Sequence, residues 1–403
     1  SDFFLFTLDT FNDLTNGYAF GGNSVGVKKD EILFNGGRTL GQDSNWDWDA
    51  KFDLETQIYE NFYTAEMRIP FSSIRFANNS KFWSYNVSRR RIIENEFSTL
   101  FKVPQEQSFI NLSYTKPLVF EKPLGKSKTP IIVIPYINLL KSKKFDIDER
   151  VNNLEYGGDG RIIIGTGLNL DFTANPDFSQ IEVDDQIINL TRFAVALPEK
   201  RQFFIQNNDL FSGFGDFYEN QPFFTRRIGV AKDLNGNTIQ NKIRAGVRLS
   251  GKLTNRLRVG LLNMQTARDE VNLIPSNNNT VLSFQQNIFS KSNLKFLLVN
   301  RQKTGENNFE SEQERYNRLL GLDYNFISKN DKIRGKVFFY NTFSPSENKE
   351  GLSTGLRLNY NDRKNRLRTV FTRTTPNFIS DLGFSRRTGF KKNYTKYDRV
   401  FFP

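Results

Sequence analysis

The sequence predicts an all-β protein: a β-sandwich followed by an antiparallel up-and-down transmembrane β-barrel. Three features lead there. Side chains alternate with period two from residue 242 onward, connections alternate between short and long, and the composition is rich in Phe yet low in hydropathy. The chain has 403 residues, 40 of them Phe, with 14% aromatic residues and a mean hydropathy of −0.54. So many rings do not belong to a disordered chain, and such low hydropathy excludes a bundle of membrane helices. Strands with one face in lipid and the other in a wet interior satisfy both.

Residues 1–116 read as the sandwich. Strand-like segments at 2–9, 17–22, 25–28, 62–69 and 82–93 are separated by Asn, Asp and Gly clusters. Phe4, Phe6 and Leu8 share one parity and so one face. The first residues are Ser1-Asp2-Phe3-Phe4, without initiator Met or apolar leader, which reads as a processed or partial chain. All three Trp lie here: Trp46, Trp48 and Trp83. Trp46 and Trp48 are two residues apart, so on a strand both rings face one way. As exposed rings they are the candidates for stacking on sugar; as buried rings they fill a core. Residues 117–130, with three prolines, read as a linker to a barrel over 131–403.

In the barrel, Ile243, Ala245, Val247 and Leu249 take one face, with Arg244, Gly246, Arg248 and Ser250 on the other. Leu257, Val259 and Leu261 repeat the pattern against Arg258 and Gly260. Further strands are expected around 279–288, 293–303, 315–327, 332–343, 351–360 and 366–375. Their length of about ten residues suits strands tilted across a bilayer. Tight polar turns fall at 251–255, 290–293, 328–331 and 361–365, and longer loops at 267–278, 304–314 and 344–350. A soluble sandwich also alternates. The unequal loops favour the barrel, with its short periplasmic turns and longer outer loops. Arg on a lipid face costs roughly 2–4 kcal/mol at the midplane, so Arg244, Arg248, Arg258 and Arg357 are expected in the lumen, with Gly260 and Gly355. Such a lumen suits anionic solutes or an acidic plug; more simply, its cations pair with Asp323 and similar acids.

Charge divides the chain. Residues 241–403 hold 30 Lys plus Arg against 13 Asp plus Glu, and residues 1–240 hold 26 against 31. The basic residues stand singly in alternating strands, without a helix-turn-helix, zinc-finger or RNA-binding motif, so nucleic acid is not an expected partner. With no Cys and no His, the chain has no thiolate zinc site, no thiol nucleophile and no imidazole base. An enzyme here works with carboxylates, Lys, Tyr or Ser.

The most distinctive text runs over 168–229. It includes Asn175-Pro176-Asp177-Phe178-Ser179-Gln180-Ile181-Glu182-Val183-Asp184, Asn189-Leu190-Thr191, Glu199-Lys200-Arg201-Gln202-Phe203-Phe204 and Arg226-Arg227-Ile228-Gly229. This string resembles the DUF5916 family of Bacteroidota outer-membrane proteins. Leu8-Asp9-Thr10-Phe11, Trp46-Asp47 and Glu66-Met67-Arg68-Ile69-Pro70-Phe71 are similar to that family's N-terminal module, which is like carbohydrate-binding family 9. The resemblance implies a glycan-binding-like sandwich, its N-terminal part missing, before a barrel in the cell outer membrane, complete or cut short. The partners implied are outer-membrane lipid and lipopolysaccharide, a glycan, and a larger outer-membrane complex. It implies no enzymatic role.

Asp171, Asp177, Glu182, Asp184 and Asp185 place five carboxylates within fifteen residues. Oxygen-rich clusters bind Ca²⁺, but EF-hand spacing is absent and no other cofactor is expected. The favoured reading is structural pairing with Arg192, Lys200, Arg201, Arg226 and Arg227. Pro176 and Pro198 break strand regularity, so 174–225 is expected to fold into the lumen or cap one end. The leading expectation is a non-catalytic outer-membrane barrel with a glycan-binding-like module, acting in recognition, transport or envelope assembly. The alternatives are a glycan hydrolase using Asp or Glu, and a purely structural subunit.

Overall fold

The computed structural model describes residues 2–41, 43–125, 131–144, 149–165, 167–176, 199, 201–216, 219–236, 238–289, 291–305, 315–345 and 351–401. Nine strands lie in the first part: β1 (Phe3–Asp9), β2 (Gly17–Asn23), β3 (Lys28–Leu33), β4 (Ser44–Asn45), β5 (Asp53–Ile58), β6 (Tyr63–Arg68), β7 (Phe82–Arg91), β8 (Glu96–Thr99) and β9 (Lys116–Val119). Seven form one antiparallel sheet in the order β4-β3-β2-β1-β7-β8, with β9 beside β7, while β5 and β6 make a separate hairpin. Strand alternation gives the sheet two apolar faces. Leu8, Tyr18, Phe20 and Trp83 pack under Trp48, Phe52, Ile74 and Phe76, with Phe4 and Phe6 on the same side. Leu5, Ala19 and Leu33 pack the opposite way, against Ile110 and Leu112. Residues 25–27 of the strand expected at 25–28 are instead a hairpin turn leading into β3, because Gly26 takes φ +81° and the Asn23 side chain accepts from the N–H groups of Val25 and Val27.

The second part opens with β10 (Ile131–Lys144), β11 (Glu149–Ile164) and β12 (Leu168–Ala174). An insert follows with helices α1 (Gln202–Ile205) and α2 (Asp209–Ser212) and the short strands β13 (Asn220–Gln221), β14 (Val230–Lys232) and β15 (Thr238–Gln240). Then come β16 (Ile243–Lys252), β17 (Leu257–Thr266), β18 (Ser276–Ile288), β19 (Ser292–Thr304), β20 (Tyr316–Ile327), β21 (Ile333–Phe343), β22 (Gly351–Asn361) and β23 (Asn365–Thr374), followed by β24 (Phe384–Ser385) and β25 (Phe390–Arg399). Twelve of these pair in sequence order, β10-β11-β12-β16-β17-β18-β19-β20-β21-β22-β23-β25, all antiparallel. The outer edges of β10 and β25 meet no further strand among the described residues. The strands from β18 to β23 begin and end within a few residues of the positions expected from alternation.

The sheet curls around its inserts. Phe203, Phe204, Leu210, Phe211, Phe214 and Phe223 share one core with inward side chains of β17 to β21, including Leu262, Val281, Leu297, Leu319 and Tyr340. The connection between β23 and β25 enters the same core through Phe378 and Leu382. It pairs with the first insert through β13 and β24, Asn220 opposite Ser385. The recurrent glycines on the inner face make room: a Cβ on Gly260 would stand 2.8 Å from the Phe211 ring. Outward side chains alternate with these and are apolar and exposed, among them Leu320, Leu322, Val337, Phe339, Leu356 and Phe371.

One face assignment is corrected. A β-bulge between Ile243 and Ala245 shifts the parity at the start of β16. Ile243 therefore turns inward into the core, and Arg244, expected in the lumen, is exposed. Arg248, beyond the bulge, is 1% exposed, as an inward residue is.

Candidate functional site

The inner wall is graded along the strands. Toward the long loops it presents Leu262, Met264, Val281, Leu297, Val299 and Leu319 to the plug. Toward the short turns the same faces become polar. Arg258, Gln285, Lys295 and Asp323 are successive cross-strand partners. One pair nearer the turns, Asn287, Asn293, Asn325, Lys336 and Arg357 form a second row.

The plug answers the basic wall with acids. Arg258 grips both oxygens of Asp209, at 2.5 and 3.0 Å. Arg357 reaches Asp216 at 2.5 Å and Lys392 reaches Glu219 at 2.5 Å. Burial alone raises the Asp209 carboxyl; the Arg258 guanidinium outweighs it and holds the group below the usual carboxylate range. Glu199 is likewise desolvated yet held low by Arg201, which binds it at 2.7 Å. Acids held ionised in this way are poor general acids.

The N-terminal sheet sits on the short turns. Asp13 pairs with Lys252, the last residue of β16. Asp331, in the β20–β21 turn, takes Arg38 at 3.6 Å and Lys291 at 2.5 Å and is 2% exposed. Arg334 donates to the Arg38 carbonyl at 3.1 Å and to Gln107 at 2.5 Å. Asn361 donates to the Glu106 carbonyl at 2.9 Å, and Asn287 to Thr15 at 3.3 Å. Four consecutive turns thus engage the first domain, and Ile205 at the end of α1 joins that domain's core.

Between domain, plug and wall lies a cavity of about 460 Å³, within the common size range of small-ligand pockets, about 300–1,000 Å³. The second wall row forms its floor, with Lys295 and Arg334; Gly213 to Gly215 of the plug form one side, and residues from 34–41 and 43–47 form the rim. Trp46 stands on that rim, 65% exposed, with the Lys29 ammonium 5.5 Å from the ring centroid.

The structure separates the expected site residues. Trp48 does not share the Trp46 surface: it is 9% exposed and packs 5.3 Å from Tyr18 and 5.8 Å from Phe20. Its reading as a sugar-stacking ring is corrected to core, because three residues after the short β4 the chain has dipped under the sheet. Asp171 pairs with the strand residues Arg161, at 2.5 Å, and Arg248, at 3.0 Å, in place of the cations proposed from sequence. Arg201 binds Glu199 and donates to the carbonyls of Thr225 and Ile228. Arg227 donates to the Gly383 carbonyl at 3.1 Å, and Arg226 is half-buried next to it. Asp177, Glu182, Asp184, Asp185, Arg192 and Lys200 lie outside the described residues, as does most of the 174–225 segment before Arg201. Among the described residues no cluster of acids is arranged to hold a metal ion. Sequence reasoning missed Asn287, Asn293, Asn325 and Lys336, although each has the inward parity and lies within a few residues of a tight turn.

Fold and site together define an all-β protein in which a twelve-stranded antiparallel meander wraps a folded plug and carries a second sheet on its turns. The chain belongs to the DUF5916 family, described as a domain of unknown function, whose model matches residues 128–402. The matched residues begin after the N-terminal sheet. No curated protein matches the chain. Among solved structures it is similar to Wzi, an outer membrane protein involved in group 1 capsule assembly in Escherichia coli and described as a carbohydrate-binding β-barrel. That pair shares 10% identity over all of this chain and 84% of the other, with a TM-score of 0.29. It is also similar to an anion-selective porin from Comamonas acidovorans, with 11% identity over 99% of both chains and a TM-score of 0.32. A third is OprB of Pseudomonas putida, with 6% identity over 99% of this chain and 91% of the other, TM-score 0.27.

Proposed function

We propose that this chain is a non-catalytic outer-membrane protein whose lumen is closed by its own plug and whose periplasmic end carries a glycan-recognition cavity. The membrane reading rests on one observation above all. Apolar side chains alternate outward along the central strands and stay 40–49% exposed at Leu320, Leu322, Phe339 and Leu356, while the inner face is buried against the plug. A soluble protein rarely leaves so wide an apolar band uncovered; lipid covers it. The short turns are periplasmic by the usual asymmetry of such barrels, so the sheet seated on them is periplasmic too.

The glycan reading is supported by the Trp46 ring on the rim and the amides of Asn287, Asn293, Asn325 and Asn359 lining the interior. A flat ring and convergent amides suit the apolar face and hydroxyls of a sugar. Extraction tests the membrane assignment: the protein is expected to leave membranes only with detergent and to migrate faster on gels before boiling than after. Release by salt or alkaline wash, with unchanged migration, contradicts it.

A second reading, a subunit of a larger outer-membrane complex, is favoured by β10. Ile131, Val133 and Ile137 on one face and Ile134 on the other are all more than half exposed, on a strand whose outer edge is open. Crosslinking at β10 in native membranes is expected to capture a neighbouring protein under that reading, and to capture none if lipid alone surrounds it.

A further inference from the structure

We propose that the cavity binds a ligand bearing an acidic group, a carboxylate or a phosphate, and that Lys295, Lys336 and Arg334 hold that group. The proposal rests on the reading of this cavity as the recognition site and names the chemistry of what enters it. Lys295 is 1% exposed. Its ammonium meets the main-chain carbonyls of Asp209 and Gly213, both at 3.4 Å, and no carboxylate at ion-pair distance among the described residues. The Asp209 carboxylate nearby is taken at both oxygens by Arg258. Arg334 donates to a carbonyl and an amide oxygen, again with no described carboxylate as partner.

Lys336 is the third cation. It binds Asp323 at 3.2 Å and the carbonyls of Gly213 and Gly215 at 3.3 and 3.2 Å. Asp323 is already crowded, accepting from the Gly215 N–H and the Tyr340 hydroxyl. Of the other acids that line the cavity, Asp13 is paired with Lys252 and Glu199 with Arg201, Asp43 accepts from the Asn35 amide and the Thr39 N–H, and Asp47 stands with Trp46 on the rim. A buried ammonium with no carboxylate at ion-pair distance is costly, and a bound anion offsets that cost. The asparagine row supplies neutral hydrogen bonds around the charged spot, as a sugar acid or sugar phosphate requires.

The test uses the full chain in detergent and calorimetric titration of three probes: a disaccharide ending in glucuronate, its carboxyl-reduced counterpart ending in glucose, and inorganic phosphate. The glucuronate form is expected to bind about tenfold tighter than the glucose form, the worth of one charge-assisted hydrogen bond. That preference is expected to shrink in high salt and to vanish in Lys336→Gln and in Lys295→Met. Equal binding of the two sugars overturns the acidic-group proposal and leaves the glycan reading standing. Phosphate binding without either sugar upholds the acidic group and overturns the glycan reading. Silence toward all three overturns both, and a preference that survives in both variants overturns the assignment to the lysines.

Discussion

Trp46 and Trp48 share a tetrapeptide and a side-chain type, and the fold gives them opposite work. Trp48 fills the core between Tyr18 and Phe20, so Trp48→Ala is expected to destabilise the N-terminal domain by about 3–5 kcal/mol. Trp46 touches mainly Lys29 and solvent, and Trp46→Ala is expected to change stability by less than about 0.5 kcal/mol while weakening sugar binding. Thermal melts and titrations of the two variants check both statements. Asp9 offers a pH test. Burial, with the neighbouring Asp13 charge, raises its carboxyl from 3.8 to about 6. A folded-state pKa above the unfolded one contributes stability below the unfolded value and loses it as pH rises through the folded one. From pH 7 to pH 5 the wild type is therefore expected to gain about 1 kcal/mol over Asp9→Asn. All three tryptophans lie in this domain, so their fluorescence follows its melting. A parallel pH response in the two proteins contradicts the assignment.

At the scale of elements, the strands from β16 to β23 were legible because an exposed apolar outer face and an inner face packed on the plug impose opposite demands on successive residues. Others were hidden for physical reasons. The run Ile131-Ile132-Val133-Ile134 in β10 is apolar on both faces, Gly157-Gly158-Asp159-Gly160 in β11 carries almost no side-chain signal, and Lys391-Lys392-Asn393 in β25 is polar throughout. Alternation cannot mark such strands. The Arg and Gly of the inner face were visible, but their reason was not: Arg258 meets Asp209, and Gly260 leaves space for Phe211, across stretches that no period reveals. The Gly260→Leu substitution is expected to expel Phe211 and loosen the plug. Planar-bilayer recordings are expected to show conductance in this variant and none in the wild type; a silent variant that folds normally contradicts the packing account. The docking of the first domain is equally non-local. Asp331 serves both Arg38 and Lys291 while nearly fully buried, so Asp331→Ala leaves two cations without their acid, a loss of about 3–5 kcal/mol. Hydrogen exchange is expected to rise in the 13–16 and 35–43 loops of that variant and to stay unchanged in β18 and β19.

For the whole molecule, the uneven charge of the sequence finds its place. The basic second part supplies a wall whose cations close on acids of the plug, Asp209, Asp216 and Glu219, while the N-terminal sheet covers the turns below. The cavity between them could not be read from sequence, since its rim begins at Phe34 and its floor reaches Arg357. The central claim is that the apolar band lies in the outer membrane with the N-terminal sheet beneath it. Because the chain has no cysteine, single-cysteine labelling in intact cells tests that claim directly. Val271, 83% exposed in a long loop, and Lys51, exposed on the N-terminal domain, are each replaced by cysteine and treated with a membrane-impermeant maleimide. The account predicts that Val271→Cys is labelled in intact cells and Lys51→Cys only after the outer membrane is permeabilised. Labelling of Lys51→Cys in intact cells, or of neither until both membranes are broken, contradicts it.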